Sequence, residues 1–148
     1  MAEALDVARF FLVLADASRK DGEALTHLKL QKLLYYSQGF HLALYDTPLF
    51  PETIEAWEHG PVLPAIYRMY RECGRAPIDP PADWQAEAVS SAERSLLVDV
   101  WNAYGQFSAW RLREMTHEEP PWKDSFVPGA NREIPHDSLK RYFLTQLA

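Results

Sequence analysis

Residues 26–44 place apolar side chains around most of a helical circumference, and this pattern constrains the fold more than any other. The positions concerned are Leu30, Leu33, Leu34, Tyr36, Ser37, Phe40 and Leu44. Helices that are apolar on most sides lie at the centre of a domain, so we expect the other elements to pack around this one. Thr26 is its expected N-cap. Gly39 weakens the middle of this helix and therefore predicts that another backbone passes close by.

Five other segments have helical spacing. The predicted helices cover residues 3–19, start at Pro61, follow Ser90, follow Ser108 and include Leu139, Tyr142, Phe143 and Leu147. Ser90 and Glu93 form the pattern of a capping box, in which each side chain satisfies a backbone N–H of the first turn. The helix that starts at Pro61 is predicted to end at Gly74 and to face the core through Val62, Ile66, Met69 and Cys73.

Residues 53–58 alternate as in a short strand, and Ile134 marks a second short strand. The dipeptides Pro120-Pro121 and Pro128-Gly129 frame a stretch that is expected to be irregular. A chain of 148 residues and 17.0 kDa has the size of one domain. We therefore predict a mainly α protein, a single compact domain over residues 1–148 with about six helices and a small two-stranded β element.

The charge and the apolar runs exclude several classes of protein. The net charge of −6 is a poor basis for binding nucleic acid, because affinity for phosphates needs clustered lysines and arginines. The longest strongly apolar run, Phe10 to Ala15, is far shorter than the roughly 20 residues that span a bilayer. The N-terminus lacks the basic region of a signal peptide, and Cys73 is the single cysteine. We expect a cytoplasmic protein with neither membrane nor direct nucleic-acid partners.

Motifs for catalysis or cofactor binding are missing from the sequence. No glycine-rich phosphate loop and no G-x-S-x-G motif occurs, and no two histidines have the H-x-x-x-H spacing of a zinc site. We therefore expect no cofactor, no metal and no catalytic residue. Cys73 is expected to be a buried, inert thiol. Glu118 and Glu119, beside His117, form either an acid/base cluster or, as we favour, a solvated turn.

Four motifs occur in one order along the chain. They are Lys29–Tyr36 (K-L-Q-K-L-L-Y-Y), Glu55–Val62 (E-A-W-E-H-G-P-V), Thr116–Trp122 (T-H-E-E-P-P-W) and Tyr142-Phe143. In these motifs the chain resembles the Panacea domain family, the SocA- and GepA-like phage-associated proteins. It departs from the family pattern at Pro120-Pro121, with one extra proline, and at Pro135, which stands where a Ser or Thr cap is expected.

The resemblance implies an antitoxin of a two-gene toxin–antitoxin system that neutralises a co-expressed toxin by direct protein–protein binding. Its cognate toxin would be its partner. Some members resemble proteolytic adaptors, so delivery of the toxin to a cytosolic protease is an alternative that involves a second partner. Another alternative is a small enzyme or ligand-binding domain that uses His117 and Glu118. Some members carry an added DNA-binding domain, which we do not expect here.

We predict that the toxin contacts the second helix and the turn that follows the first strand. The predicted contact residues are Lys29, Lys32, Tyr35, Tyr36, Trp57, His59, Gly60, Pro61 and Val62. Lys29 and Lys32 share one helix face, which is either a solvated edge or the polar rim of a contact surface. Tyr35 or Tyr36 must turn away from the apolar stripe. His117 is expected to have a structural role, forming a hydrogen bond across its loop that holds Trp122 in the core.

Overall fold

The computed structural model describes residues 1–17 and 25–147. In these residues the chain forms seven α-helices, which confirms the mainly α prediction. The helices are α1 (Ala4–Ala17), α2 (His27–Tyr45), α3 (Pro64–Tyr70), α4 (Ser91–Tyr104), α5 (Ala109–His117), α6 (Pro120–Lys123) and α7 (His136–Leu144). The strands are β1 (Glu55–Trp57), β2 (Gly60–Val62) and β3 (Arg132–Glu133). The predicted end of the first helix at residue 19 lies outside the described residues.

Helix α2 is the centre of the fold, as its apolar circumference predicts. It packs against α1, α3, α4, α5, α7 and strand β2. The Thr26 hydroxyl caps it by accepting a hydrogen bond from the Lys29 N–H at 3.3 Å. Asp46 ends it in a left-handed conformation, with a φ of 59°. In the described part of the chain, no helix combines the length and apolar character needed to cross a membrane.

Gly39 makes room for a side chain and not, as predicted, for a backbone. A Cβ atom at Gly39 would overlap the ring of Phe143 on α7. Helix α7 packs along α2 over its most extensive contact, and Phe143 is fully buried there. The glycine therefore sets how closely these two helices approach each other.

The β element has three strands and not two. The strand order is β2-β1-β3 and both pairs are antiparallel, with Ala56 opposite Pro61 and Glu55 opposite Glu133. Ile134 follows β3, where its N–H donates to the Ile54 carbonyl at 2.7 Å. The strand predicted at Ile134 is therefore present, but it ends one residue earlier, at Glu133.

Pro61 does not begin a helix, so that prediction is wrong. Gly60 has a φ of +116°, a conformation open to glycine, and the chain reverses there into β2. Helix α3 starts instead at Pro64, where the missing N–H of proline leaves no helical hydrogen bond unmade. The predicted core stripe is correct at Ile66, whereas Met69 is 55% exposed.

Cys73 does not face the core as predicted. It lies half-buried in the short 3₁₀ turn Arg71–Cys73, because α3 ends at Tyr70 and its helical stripe does not continue to Cys73. The Ser90–Glu93 capping box and the Ser108 cap are both present as predicted. Leu147, predicted in the last helix, lies beyond the end of α7 and is exposed.

The stretch after α5 is more regular than predicted. Pro120 and Pro121 form the first turn of α6, where proline is tolerated because the first N–H groups of a helix have no internal partner. Glu119 precedes them in an extended conformation, with φ −93° and ψ 135°. This geometry turns the Glu119 side chain into the protein, where it is 8% exposed. The expected solvated turn is therefore wrong for Glu119, although Glu118 is exposed.

Candidate functional site

The buried carboxylate of Glu119, at the start of α6, connects this helix to α2 and α7. Glu119 Oε1 accepts a hydrogen bond from the Tyr35 hydroxyl, and Oε2 accepts one from the Tyr36 hydroxyl, each at 2.9 Å. The Tyr142 hydroxyl on α7 lies near the same carboxylate and interacts with its charge. We call Glu119, Tyr35, Tyr36 and Tyr142 the tyrosine–glutamate cluster.

Burial dominates the protonation behaviour of this cluster. It raises the pKa of Glu119 to about 7, although interactions with the three tyrosines oppose that rise. Burial, and then the nearby Glu119 charge, raises the pKa values of Tyr35 and Tyr36 well above the usual range. Tyr35 and Tyr36 are fully buried, so a substrate cannot reach the carboxylate from their side. The cluster therefore has the geometry of a structural polar contact between helices.

The side chains of residues 117–119 do not come together as the acid/base cluster that the sequence left open. Glu119 points into the tyrosines and Glu118 points to solvent. The His117 ring stacks on Trp122 at 4.0 Å between centroids, with an interplanar angle of 11°. The Trp122 indole N–H in turn donates to the Trp57 carbonyl at 2.8 Å. These contacts connect α5 and α6 to the end of β1.

Lys32 lies on another face of α2, and its side chain is only 1% exposed. The solvated edge considered for this residue is therefore wrong. Its terminal methylene lies over Gly60, where an added Cβ would be 2.7 Å from Lys32 Cε. Burial, and then the charge of Arg113, lowers the pKa of Lys32 to about 7. This lysine reaches a cavity beside the β1–β2 hairpin.

Two adjoining cavities flank Lys32, with volumes of about 470 Å³ and 490 Å³. The residues that line both are Leu28, Lys32, His59, Gly74 and Arg75. Aromatic side chains form much of the walls, with Trp57 and Tyr67 in the first cavity and Trp110 in the second. We call this pair of cavities the Lys32 pocket.

Several polar atoms at the Lys32 pocket have no hydrogen-bond partner in the part of the chain that the structure describes. Both ring nitrogens of His27 are buried without one, and so is Nε of Arg113. Burial, and then the charge of Lys32, lowers the pKa of His27. The Arg113 guanidinium lies 4.8 Å from the centre of the exposed Trp110 ring. The pocket thus combines positive charge, unused hydrogen-bonding capacity and aromatic walls.

The structure separates the predicted contact residues into buried and accessible ones. His59 is exposed, and Lys29 and Trp57 are half-buried. The buried members are Lys32, Tyr35, Tyr36, Gly60, Pro61 and Val62. The Lys29 ammonium donates to the Gly105 carbonyl and lies 5.6 Å from the centre of the Trp101 ring. In this conformation, a partner that binds the outer surface does not reach the buried members.

Sequence reasoning did not find His27, Leu28, Arg75, Trp110 and Arg113 as parts of the site. Helical spacing could have grouped some of them, because Leu28 and Lys32 are four residues apart and Trp110 and Arg113 are three apart. The contact between these two pairs depends on how α5 packs against α2, which no local pattern encodes.

Gly60→Ala is expected to lower the free energy of unfolding by about 2–3 kcal/mol, because alanine is strained at a φ of +116° and its Cβ would press on Lys32. Urea denaturation followed by tryptophan fluorescence measures the change. Gly129→Ala is the matched control, since Gly129 also has a positive φ, +76°, but nothing lies within 4 Å of an added Cβ. We expect a loss of about 1 kcal/mol there. Equal losses in the two variants would contradict the close packing of Lys32 on Gly60.

Comparison with known proteins agrees with the family predicted from the sequence motifs. The family model described as "Antitoxin SocA-like, Panacea domain" matches residues 30–123, which is more than half of the chain. The chain therefore belongs to this family of antitoxin-like proteins. The matched range includes Lys32, the β1–β2 hairpin, Trp110 and Glu119.

A curated relative is Antitoxin SocA of Caulobacter vibrioides, which is 42% identical over 50 residues. The similar segment covers 34% of this chain and 27% of that protein, so the chain matches only about a quarter of the relative's length. No solved structure matches the chain.

Proposed function

We propose that this protein is a cytoplasmic, non-enzymatic antitoxin that neutralises a co-expressed toxin by direct protein–protein contact. The observation that carries the proposal is membership of the SocA-like antitoxin family. The similarity to Antitoxin SocA supports it. The dispersal of His117, Glu118 and Glu119 into separate environments also favours binding over catalysis.

The face around the Lys32 pocket is the contact surface that we propose. Trp110 is 63% exposed there, and Leu28 is a second exposed apolar residue of the same cavity. Exposed tryptophans next to arginines are typical of the residues that dominate binding energy in protein interfaces. His59 and Arg75 add exposed polar groups at the rim, which suits the polar border of an interface.

Charge favours a toxin with an acidic patch on its matching surface. The chain as a whole carries −6, yet Arg71, Arg75 and Arg113 all line the Lys32 pocket together with Lys32. Glu58 is the carboxylate among the lining residues. Complementary charge of this kind accelerates association and excludes partners with the wrong sign.

Trp110→Ala is expected to weaken toxin binding about 30-fold and to abolish protection in a co-expression growth assay, because it removes the largest exposed apolar group of the proposed surface. The assay expresses the neighbouring gene product alone and together with each variant. The matched control is Tyr45→Ala, an exposed aromatic residue at the far end of α2, about 27 Å from His27 by the rise of a helix.

The proposal fails if the neighbouring gene product is harmless alone, or if it stays toxic in the presence of the wild-type protein. Equal protection by the two variants would remove the proposed surface but leave the antitoxin role. Measuring the half-life of the toxin in the same cells separates neutralisation by binding, which leaves it unchanged, from delivery to a protease, which shortens it.

A further inference from the structure

Lys32 is a buried cation without a counter-charge among the residues that the structure describes. In residues 1–17 and 25–147, the ion pairs Lys140–Asp46 and Arg141–Asp137 both lie at the surface. The Lys32 ammonium has no carboxylate within ion-pair distance in that part of the chain. Even Glu58, which lines the same cavity, is outside ion-pair distance. Burying a charge without a partner is costly, so a lysine at this position needs another explanation.

The neighbours of Lys32 increase this cost. Arg113 lowers the pKa of Lys32 through its own positive charge, and Lys32 does the same to His27. His27 is 4% exposed, and neither of its ring nitrogens has a hydrogen-bond partner within residues 1–17 and 25–147. Nε of Arg113 is buried without one as well. The donors of Lys32, Arg113 and His27 therefore lie around the two adjoining cavities of the Lys32 pocket, and those of His27 and Nε of Arg113 lack acceptors among the described residues.

From this geometry we propose that the Lys32 pocket is an anion-binding site that receives one carboxylate or phosphate group carried on an apolar or aromatic body. Lys32 and Arg113 supply the charge, and His27 supplies a further donor. Trp57, Tyr67 and Trp110 supply flat walls for the body of the ligand. Cavities of about 470 and 490 Å³ are in the size range of small-molecule sites.

Gly60 is part of this site because it leaves the space that Lys32 occupies. A Cβ added at position 60 would lie 3.3 Å from the Lys32 ammonium nitrogen and 3.1 Å from Thr116 Oγ1. A side chain here would displace the lysine from the cavity. The glycine of the hairpin thus has a role in placing the charge, in addition to reversing the chain.

Two sources could supply the anion. It is either a free small molecule or an acidic side chain of a bound partner, and only the second source rests on the proposed antitoxin function. The first is tested with inorganic phosphate, phenyl phosphate and benzoate, titrated into the full chain at pH 6.5 and constant ionic strength, with calorimetry and thermal denaturation as readouts. The second is tested by the affinity for the co-expressed toxin.

We compare the wild type with Lys32→Met, which keeps the length of the side chain and removes its charge. We expect Lys32→Met to melt at the same or a higher temperature, since it removes an unpaired buried charge, and to bind the anion at least about tenfold more weakly. Lys123→Met, at an exposed lysine on α6, is the control and should bind as the wild type does. Arg113→Gln provides a second test of the same site if Lys32→Met does not fold.

Each outcome decides the proposal. Saturable binding of phenyl phosphate or benzoate that Lys32→Met loses supports a small-molecule source, whether or not a toxin exists. Toxin binding that Lys32→Met loses, without binding of the small anions, supports an acidic side chain of the partner. If neither Lys32→Met nor Arg113→Gln changes the binding of the small anions or of the toxin, the proposal is overturned.

Discussion

Glu119→Ala is expected to lower the free energy of unfolding by about 3–5 kcal/mol, the largest loss that we predict for one side chain. The change leaves the hydroxyls of Tyr35 and Tyr36 without their acceptor, and both belong to fully buried side chains. A buried donor without an acceptor costs more than an ordinary hydrogen bond contributes. Urea denaturation followed by circular dichroism measures the loss.

The adjacent residue supplies the matched control. Glu118 is exposed, so Glu118→Ala should change the free energy of unfolding by no more than about 0.5 kcal/mol. A loss at Glu119 no larger than the loss at Glu118 would contradict the structural role of the tyrosine–glutamate cluster.

Glu119→Gln separates the charge of this residue from its hydrogen bonds. Burial raises the pKa of Glu119 to about 7 from an ordinary value of 4.5, so the folded chain holds this proton more tightly than the unfolded chain. The resulting stabilisation is fully present below pH 4.5 and is lost as the pH rises through 7. The wild type should therefore lose stability relative to Glu119→Gln between pH 5 and pH 8. A flat difference across that range would contradict the raised pKa.

Gly39→Ala is expected to lower the free energy of unfolding by about 1–3 kcal/mol through overpacking of the core. Helix propensity alone predicts the opposite sign, since alanine is favoured over glycine by about 1 kcal/mol inside a helix. The overlap of an added Cβ with the Phe143 ring decides between the two effects, because α7 cannot move away without opening its long contact with α2. Thermal and urea denaturation both report the change.

A double-variant cycle tests that cause. Phe143→Leu removes part of the ring, so we expect Gly39→Ala to cost less in the Phe143→Leu background than in the wild type. Additive losses would show that the two residues do not compete for space. A gain in stability from Gly39→Ala alone would show that propensity outweighs packing and that the α2–α7 contact is looser than described.

The parts of the fold that depend on neighbours in sequence could be predicted. The caps at Thr26, Ser90 and Ser108 follow from side chains that reach backbone N–H groups three residues on. The central position of α2 follows from its apolar circumference. The β1–β2 hairpin was missed because a glycine-proline pair serves equally well in a turn before a helix or in a turn inside a hairpin. Helix α3 begins at the next proline along the chain, Pro64.

The candidate site could be predicted only in part, because residues 30–39 of α2 are all buried, so a polar side chain there does not reach the surface. Gln31 illustrates this: it is fully buried and bonds the Leu63 backbone, accepting from its N–H at 2.8 Å. Lys32, Tyr35 and Tyr36 were predicted as contact residues from their chemistry, yet they lie in the stretch of α2 that is buried at every position. Glu119 is extended because it precedes a proline, which is a local effect, but the α2 tyrosines that its side chain meets are a tertiary contact that its charge alone does not indicate.

The most direct test of the antitoxin proposal is calorimetric titration of the purified neighbouring gene product with the purified wild-type protein. We predict a saturable complex of defined stoichiometry, in which the toxin is chemically unaltered by mass spectrometry and regains its activity once it is separated. Toxin that loses its activity without forming a complex, or that carries a covalent change after separation, would contradict neutralisation by contact.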